Sequence, residues 1–511
     1  MADSDLKRRA SSISDADAPE GSTEALAVDD TVPERRQIGL VSAVFIIFNR
    51  IIGTGVFATP SSILSLSGSV GLSLFMWVVG AVIAASGMWV YIVWGTAIPR
   101  NGGEKNYLEY LFRRPRFLAT SMFAANALLL AWAAGNSLVF GEYILSAANR
   151  EPTRWKLRGV GAACITFAFL LHGTALKWGL RLQNVLGVFK VAILVFIAIT
   201  GFVALGGHTK TPVPNNFKNA FEGTTANASS FCNSLYNVIW SFIGYSNILY
   251  AMAEVKDPIR TLRIAGPLSI ALITVLYLLV NIAYFAAASK EEITGSGRLV
   301  AALLFRNVYG AQAERALNVF VALSAVGNVL AVIFSQGRVN QELGREGILP
   351  FSKFWGSNRP FNAPLAGLGA HWIIVLIVIF ALPPAMPTIS YPLSVINAII
   401  GFGIVYLRFF PYSDWKQPSL GAVAAAAFFG ASNVFLFVVP LLKPPPGGEP
   451  YVSLPYWTHA VAGWVVFGLG ALYWVIWAQV LPRVGGYRLA REQEVGKDGL
   501  SRHVFKRVGS R

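Results

Sequence analysis

The stretch Arg50-Ile51-Ile52-Gly53-Thr54-Gly55-Val56-Phe57-Ala58-Thr59-Pro60 lies inside an apolar segment that begins near Ile38. Two glycines flank a threonine, and a proline follows shortly after. An uninterrupted membrane helix has no use for this pattern. Glycine weakens a helix interior by about 0.5–1 kcal/mol and opens the backbone to other conformations. In hydrocarbon, each freed N–H or C=O must find a partner, so broken backbone occurs only where protein or a water-filled cavity supplies one. The stretch reads as a discontinuous transmembrane helix whose exposed N–H groups await an anion.

Composition agrees with a membrane setting. Of 511 residues, 54% are apolar and only 13% charged, against about 25% charged in soluble proteins. Apolar runs of spanning length recur up to Val480, which predicts an all-α polytopic membrane protein. The net charge of +16 fits the excess of Lys and Arg in cytoplasmic loops better than a nucleic-acid surface. Cys164 and Cys232 sit in or beside apolar runs without metal-ligand spacing, and read as packing residues. No metal or cofactor is expected, and residues 1–37 lack the pattern of a cleavable leader.

The hydropathy pattern predicts twelve transmembrane helices. They fall near 38–66, 72–98, 117–146, 157–172, 182–205, 229–252, 264–288, 315–337, 363–382, 389–409, 420–442 and 457–481. A second break reads Trp240-Ser241-Phe242-Ile243-Gly244-Tyr245-Ser246-Asn247. Corresponding interruptions in two halves point to an inverted-repeat transporter with its site near the midplane. Close packing of helices on glycine is the alternative for either break alone. The expected organisation is a disordered tail (1–37), a five-helix repeat (38–205), a polar loop (206–228), a second repeat (229–410), two added helices (411–482) and a C-terminal tail (483–511). With both tails and alternate loops inside, most of the 42 Lys and Arg face the cytoplasm. The basic loop from Arg150 to Arg158 goes against this arrangement. The Asn227-Ala228-Ser229 sequon falls outside, which agrees with Asn227 as a glycosylation site.

Four motifs carry a family resemblance. Ile51-Ile52-Gly53-Thr54-Gly55-Val56-Phe57 resembles the helix 1 signature of the amino acid–polyamine–organocation superfamily, and Pro99-Arg100-Asn101-Gly102-Gly103-Glu104 its helix 2–3 loop. Glu254-Val255-Lys256-Asp257-Pro258 resembles the motif after helix 6, and Arg345-Glu346-Gly347-Ile348-Leu349-Pro350 the one after helix 8. Within the superfamily the chain is similar to L-type amino acid transporters, and to the fungal methionine permeases among them. The resemblance implies a LeuT-type 5+5 inverted repeat with discontinuous helices 1 and 6, embedded in the plasma membrane.

An amino acid zwitterion at membrane depth needs donors for its carboxylate and acceptors for its ammonium, because an unpaired buried charge is costly. The N–H groups of Gly53, Thr54, Gly55 and Val56 are expected to take the carboxylate. The carbonyls of Ile51, Ser241 and Phe242 are expected to take the amine. This backbone site reads what all amino acids share, so side-chain selectivity must lie elsewhere. Alignment with the family places Asn328 in the side-chain pocket, with a helix–helix hydrogen bond as its alternative role. Animal relatives carry an aromatic gate at the position of Ser241. Here Phe242 is the first choice for a gate, with Gly244 and Tyr245 beside it.

Lys190 lies deep in an apolar helix, where an unpaired lysine costs about 2.5–3.5 kcal/mol. In L-type relatives the matching lysine resembles a replacement for bound sodium, bridging helices 1 and 8. Contact with backbone carbonyls near Gly53 and sodium-independent transport are therefore expected, with snorkelling to the surface as the alternative. Arg50 is assigned to a gate or an ion pair with Glu254. Glu142 and Glu254 are candidates for a coupling proton, with helix-end solvation the alternative for both.

These features suit a secondary active permease that takes up methionine or another neutral amino acid by alternating access, with protons as the candidate coupling ion. Obligate exchange and a non-transporting amino acid sensor are the alternatives. No Ser/His/Asp set, HExxH or nucleotide loop is present, so an enzyme is not expected. Animal L-type exchangers join a single-span glycoprotein through a cysteine in the helix 3–4 loop. Residues 147–156 contain none, so no disulfide-linked subunit is expected.

Overall fold

Glycine, proline and runs of apolar residues divide the chain into helices in the computed structural model. It describes residues 23–25, 38–99, 102–130, 132–381, 387–412, 415–444, 454–495 and 501–509. Ten spans among them are long and apolar enough to cross a membrane, and Val300–Tyr309 and Leu365–Ala381 are shorter apolar helices.

The first span is α1 (Leu40–Ile51), α2 (Gly55–Ala58) and α3 (Pro60–Ser67) in succession. Pro60 opens α3 as its first residue, where its missing N–H costs nothing. Ser69 caps α4 (Val70–Ala97) by accepting from the Leu72 N–H. The short helix α5 (Glu104–Leu111) follows the glycine turn. The third expected span is interrupted, running as α6 (Leu118–Leu129) and α7 (Ala134–Ala147). Then come α8 (Arg154–Thr174), α9 (Leu176–Leu205) and α10 (Ala228–Phe242), the last capped by the Asn227 side chain. A 3-10 half-helix, Tyr245–Glu254, continues α10 after Gly244.

Beyond it lie α11 (Pro258–Ala287), α12 (Lys290–Gly295), α13 (Val300–Tyr309) and α14 (Ala311–Arg345). The bundle closes with α15 (Ser352–Gly356), α16 (Leu365–Ala381), α17 (Pro387–Phe409), α18 (Leu420–Val438) and α19 (Thr458–Trp474), whose span runs on to Gly485. Large aromatics such as Trp77, Tyr91, Trp94, Tyr107 and Tyr277 are fully buried inside it.

Of the N-terminal tail, Thr23–Ala25 is described, and it forms strand β1. The C-terminal tail folds into an antiparallel hairpin of β2 (Tyr487–Val495) and β3 (Ser501–Gly509), with β1 on the far edge of β3. The hairpin docks on the bundle. The Phe505 ring sits between Phe117 and Trp477, with centroids 4.9 and 5.0 Å away. Its N–H donates to the Glu346 carbonyl at 2.8 Å. Arg491 pairs with Glu109 at 2.9 Å. Beneath them Lys105 pairs with Glu346 in a buried contact.

Candidate functional site

The first break is a run of donors without acceptors. Helix α1 ends as Ile52 N–H donates back to Phe48, and α2 begins only at Gly55. The next helical bonds go from Phe57 and Ala58 N–H to the Thr54 carbonyl. The N–H groups of Gly53, Thr54, Gly55 and Val56 therefore donate to no protein acceptor among the described residues. All four residues are buried. Buried backbone donors are nearly always paired, so four in a row form a cradle for an anion at a half-helix N-terminus.

The second break stands against the first. Helix α10 ends at Phe242, and Gly244 takes φ +130°, open to glycine and few others. A Cβ on Gly244 would lie 2.4 Å from Arg50 Cγ, and one on Gly55 would lie 2.7 Å from Ser241 Cα. Only glycine allows the two segments to approach so closely. The Tyr277 hydroxyl of α11 reaches the carbonyls of both Ile51 and Ser241 at 3.1 Å. Two carbonyls assigned to the substrate amine thus share a protein donor, and each keeps a second lone pair.

A chain of amides fixes the break from the other side. Thr54 donates to Asn136 Oδ1 at 2.5 Å, Asn136 donates to Asn328 Oδ1 at 2.8 Å, and Asn328 donates to the Arg50 carbonyl at 2.9 Å. Ser324 donates to the Gly53 carbonyl at 3.1 Å. Asn328 therefore makes helix–helix bonds and also faces the cavity. Lys190 is 1% exposed and donates to the Asn49 carbonyl at 3.2 Å, so its amine does not reach the surface. A Cβ on Gly327 of α14 would lie 3.4 Å from the same amine, which places Lys190 between helices 1 and 8.

Between the breaks is a cavity whose wall includes Arg50, Thr54, Trp132, Asn136, Trp240 and Asn328. Arg50 is the only charged residue on that wall among the described residues, which favours an anion. Trp132 Nε1 is buried with no acceptor among the described residues. Phe242 is not on the wall. Its ring packs against Trp77 and Tyr277, with centroids 6.3 and 5.2 Å away, and Trp132 and Trp240 face the cavity instead. Tyr245 packs edge-on against Tyr91. The expected Arg50–Glu254 pair rests on a side chain outside the described residues. Glu142 pairs with Arg298 at 3.3 Å.

Asn136 and Tyr277 escaped the sequence reading. Neither lies in a motif, and the one available signal was a polar residue within an apolar helix. The same logic singled out Asn328.

The amino acid permease family model matches residues 38–467. The chain is 48% identical over 512 residues to the high-affinity methionine permease of Saccharomyces cerevisiae, covering 97% of this chain and 89% of the relative. It is 31% identical over 489 residues to the low-affinity methionine permease of that yeast, covering 92% and 87%. It is 27% identical over 460 residues to the b(0,+)-type amino acid transporter 1 of Mus musculus, covering 89% and 91%.

Proposed function

The chain belongs to the amino acid permease family, and from that premise we propose that it carries methionine or a similar neutral amino acid into the cell across the plasma membrane. The observation that bears most weight is the cradle of four unpaired N–H groups at Gly53–Val56, open to a cavity with one cation on its wall. The substrate carboxylate sits on those donors, and its ammonium takes the free lone pairs of the Ile51 and Ser241 carbonyls. Trp132, Trp240 and Asn328 then face the side chain. Two apolar indoles suit an unbranched thioether, and the 48% identical methionine permease supports that choice.

The architecture that fits is the LeuT-type 5+5 inverted repeat with twelve crossings. The ten long spans are joined by α10 with its half-helix and by α16. The segments around both breaks rock against a scaffold containing α7, α8, α14 and α16, which opens the cavity to each side in turn. Lys190 holds the place of a sodium ion, so transport is sodium-independent. The absence of cysteine from residues 147–156 favours a chain that works without a disulfide-linked subunit.

The test is uptake of labelled methionine by cells lacking their own methionine permeases, with the other amino acids as competitors and with or without sodium. Saturable, sodium-independent uptake blocked by neutral amino acids is expected. Binding without flux favours a sensor, and flux only against an internal amino acid favours an obligate exchanger.

A further inference from the structure

Tyr277 belongs to α11 and is fully buried. Its hydroxyl stands 3.1 Å from the Ile51 carbonyl and 3.1 Å from the Ser241 carbonyl. Ile51 is the last residue of α1, and Ser241 is the last but one of α10. Both oxygens therefore belong to half-helix C-termini, where the backbone dipoles leave partial negative charge. Because the helices stop there, neither oxygen accepts a backbone N–H among the described residues. Two negative helix ends thus converge on one phenol.

The neighbouring carbonyls are served differently. Asn49 takes Lys190, Arg50 takes Asn328 and Gly53 takes Ser324, each a donor of its own. Carbonyls only accept, and a phenol has a single O–H, so Ile51 and Ser241 draw on one shared hydrogen. An ammonium brings three hydrogens and completes the pair. Ile51 lies on the cavity wall and Tyr277 does not, so the phenol acts on an amine through the two oxygens rather than by touching it. Its ring is fixed in place, edge-on to Trp77 of α4 at 5.6 Å and tilted on Phe242 at 5.2 Å. Phe242 ends the same helix that presents the Ser241 carbonyl, which locks the phenol to α10 by packing as well as by its bond.

We propose that Tyr277 is a positioning residue for the substrate amine, its hydroxyl holding the Ile51 and Ser241 carbonyls at the spacing that an ammonium bridges. The inference rests on the transport reading above and deepens it. Each carbonyl keeps a second lone pair, so an arriving amine does not displace the phenol. Without the hydroxyl, the two like-charged helix ends repel unopposed, and the amine must draw them together as it binds. That cost of ordering falls on affinity. A ligand with the same carboxylate and thioether but no amine makes no use of the two carbonyls and escapes it.

The experiment uses the full chain in proteoliposomes, with labelled methionine as substrate and its deaminated analogue, 4-(methylthio)butanoate, as competitor. Tyr277→Phe keeps the ring and removes the hydroxyl. Its KM for methionine is expected to rise about tenfold, with kcat held within about twofold and the analogue's inhibition constant unmoved. A merely structural defect would weaken both ligands alike. Placing 4-aminophenylalanine at position 277 returns a donor on the same ring and is expected to restore the wild-type KM. That variant decides the matter if Tyr277→Phe fails to fold. An unchanged KM in Tyr277→Phe, a loss confined to kcat, an equal loss of affinity for the analogue, or a raised KM with 4-aminophenylalanine in place overturns the proposal while leaving transport intact. A wild type that moves no methionine even by exchange removes the transport reading, and this one with it.

Discussion

A methyl group on residue 55 would lie 2.4 Å from Ser241 Oγ and 2.7 Å from Ser241 Cα. The hydroxyl can rotate away, but the backbone carbon can yield only if the two half-helices part. Overpacking of this kind costs about 1–3 kcal/mol, enough to reduce a rate tenfold or more. Gly55→Ala is therefore expected to lower methionine uptake at least tenfold at matched surface expression. Gly159→Ala is the control, because nothing stands within 4 Å of its added carbon. Equal uptake by the two variants would remove the argument from close approach. Lys190 makes a different kind of contact, a charge-assisted bond to the Asn49 carbonyl, worth about 1.5–3 kcal/mol. Lys190→Ala is expected to reduce uptake by roughly ten- to a hundredfold, with part of the loss restored by sodium. Normal uptake without sodium dependence would rule out its role as the ion's replacement.

The two broken helices were legible because glycine and proline mark backbone that cannot stay helical, and both breaks carry such residues. The interruption between α6 and α7 was not legible. No proline lies there, and Ala127-Leu128-Leu129-Leu130 reads as good helix. The break serves the cavity, since Trp132 and Asn136 both line it, and that need appears only when helices 1 and 8 are in place. The C-terminal hairpin was missed for a related reason. Its strands carry many charges and few apolar residues, and Phe505, which anchors it, is one aromatic in a polar tail. That ring is fully buried against Phe117 and Trp477. Phe505→Ala should weaken hairpin docking by about 3–5 kcal/mol. Limited proteolysis of membranes checks this, with cleavage expected to quicken near residues 487–509 while the membrane spans stay protected. Unchanged cleavage would mean that the ring is dispensable and that the Arg491–Glu109 ion pair and the backbone bond from residue 505 to Glu346 hold the hairpin.

At the scale of the whole molecule, composition and hydropathy settled the class, and the finer architecture depends on how the short segments are counted. Helix α10 has 15 residues and α16 has 17, each short of the about 20 that usually span a bilayer. If both cross, there are twelve crossings. If only one does, the number is odd and the chain ends fall on opposite sides. The strand pairing bears on this choice, because Thr23–Ala25 lies in register with Lys506–Val508. Two tails in one sheet occupy one face of the membrane, so the number of crossings between them is even. From the bias of Lys and Arg we propose that this face is the cytoplasmic one, with the loop before α10, and Asn227, outside. Epitopes at either end should therefore bind antibody only after cells are permeabilised, and Asn227→Gln should abolish a glycosidase-sensitive shift in mobility. Labelling of one end alone in intact cells would break the even count, and with it the twelve-crossing repeat.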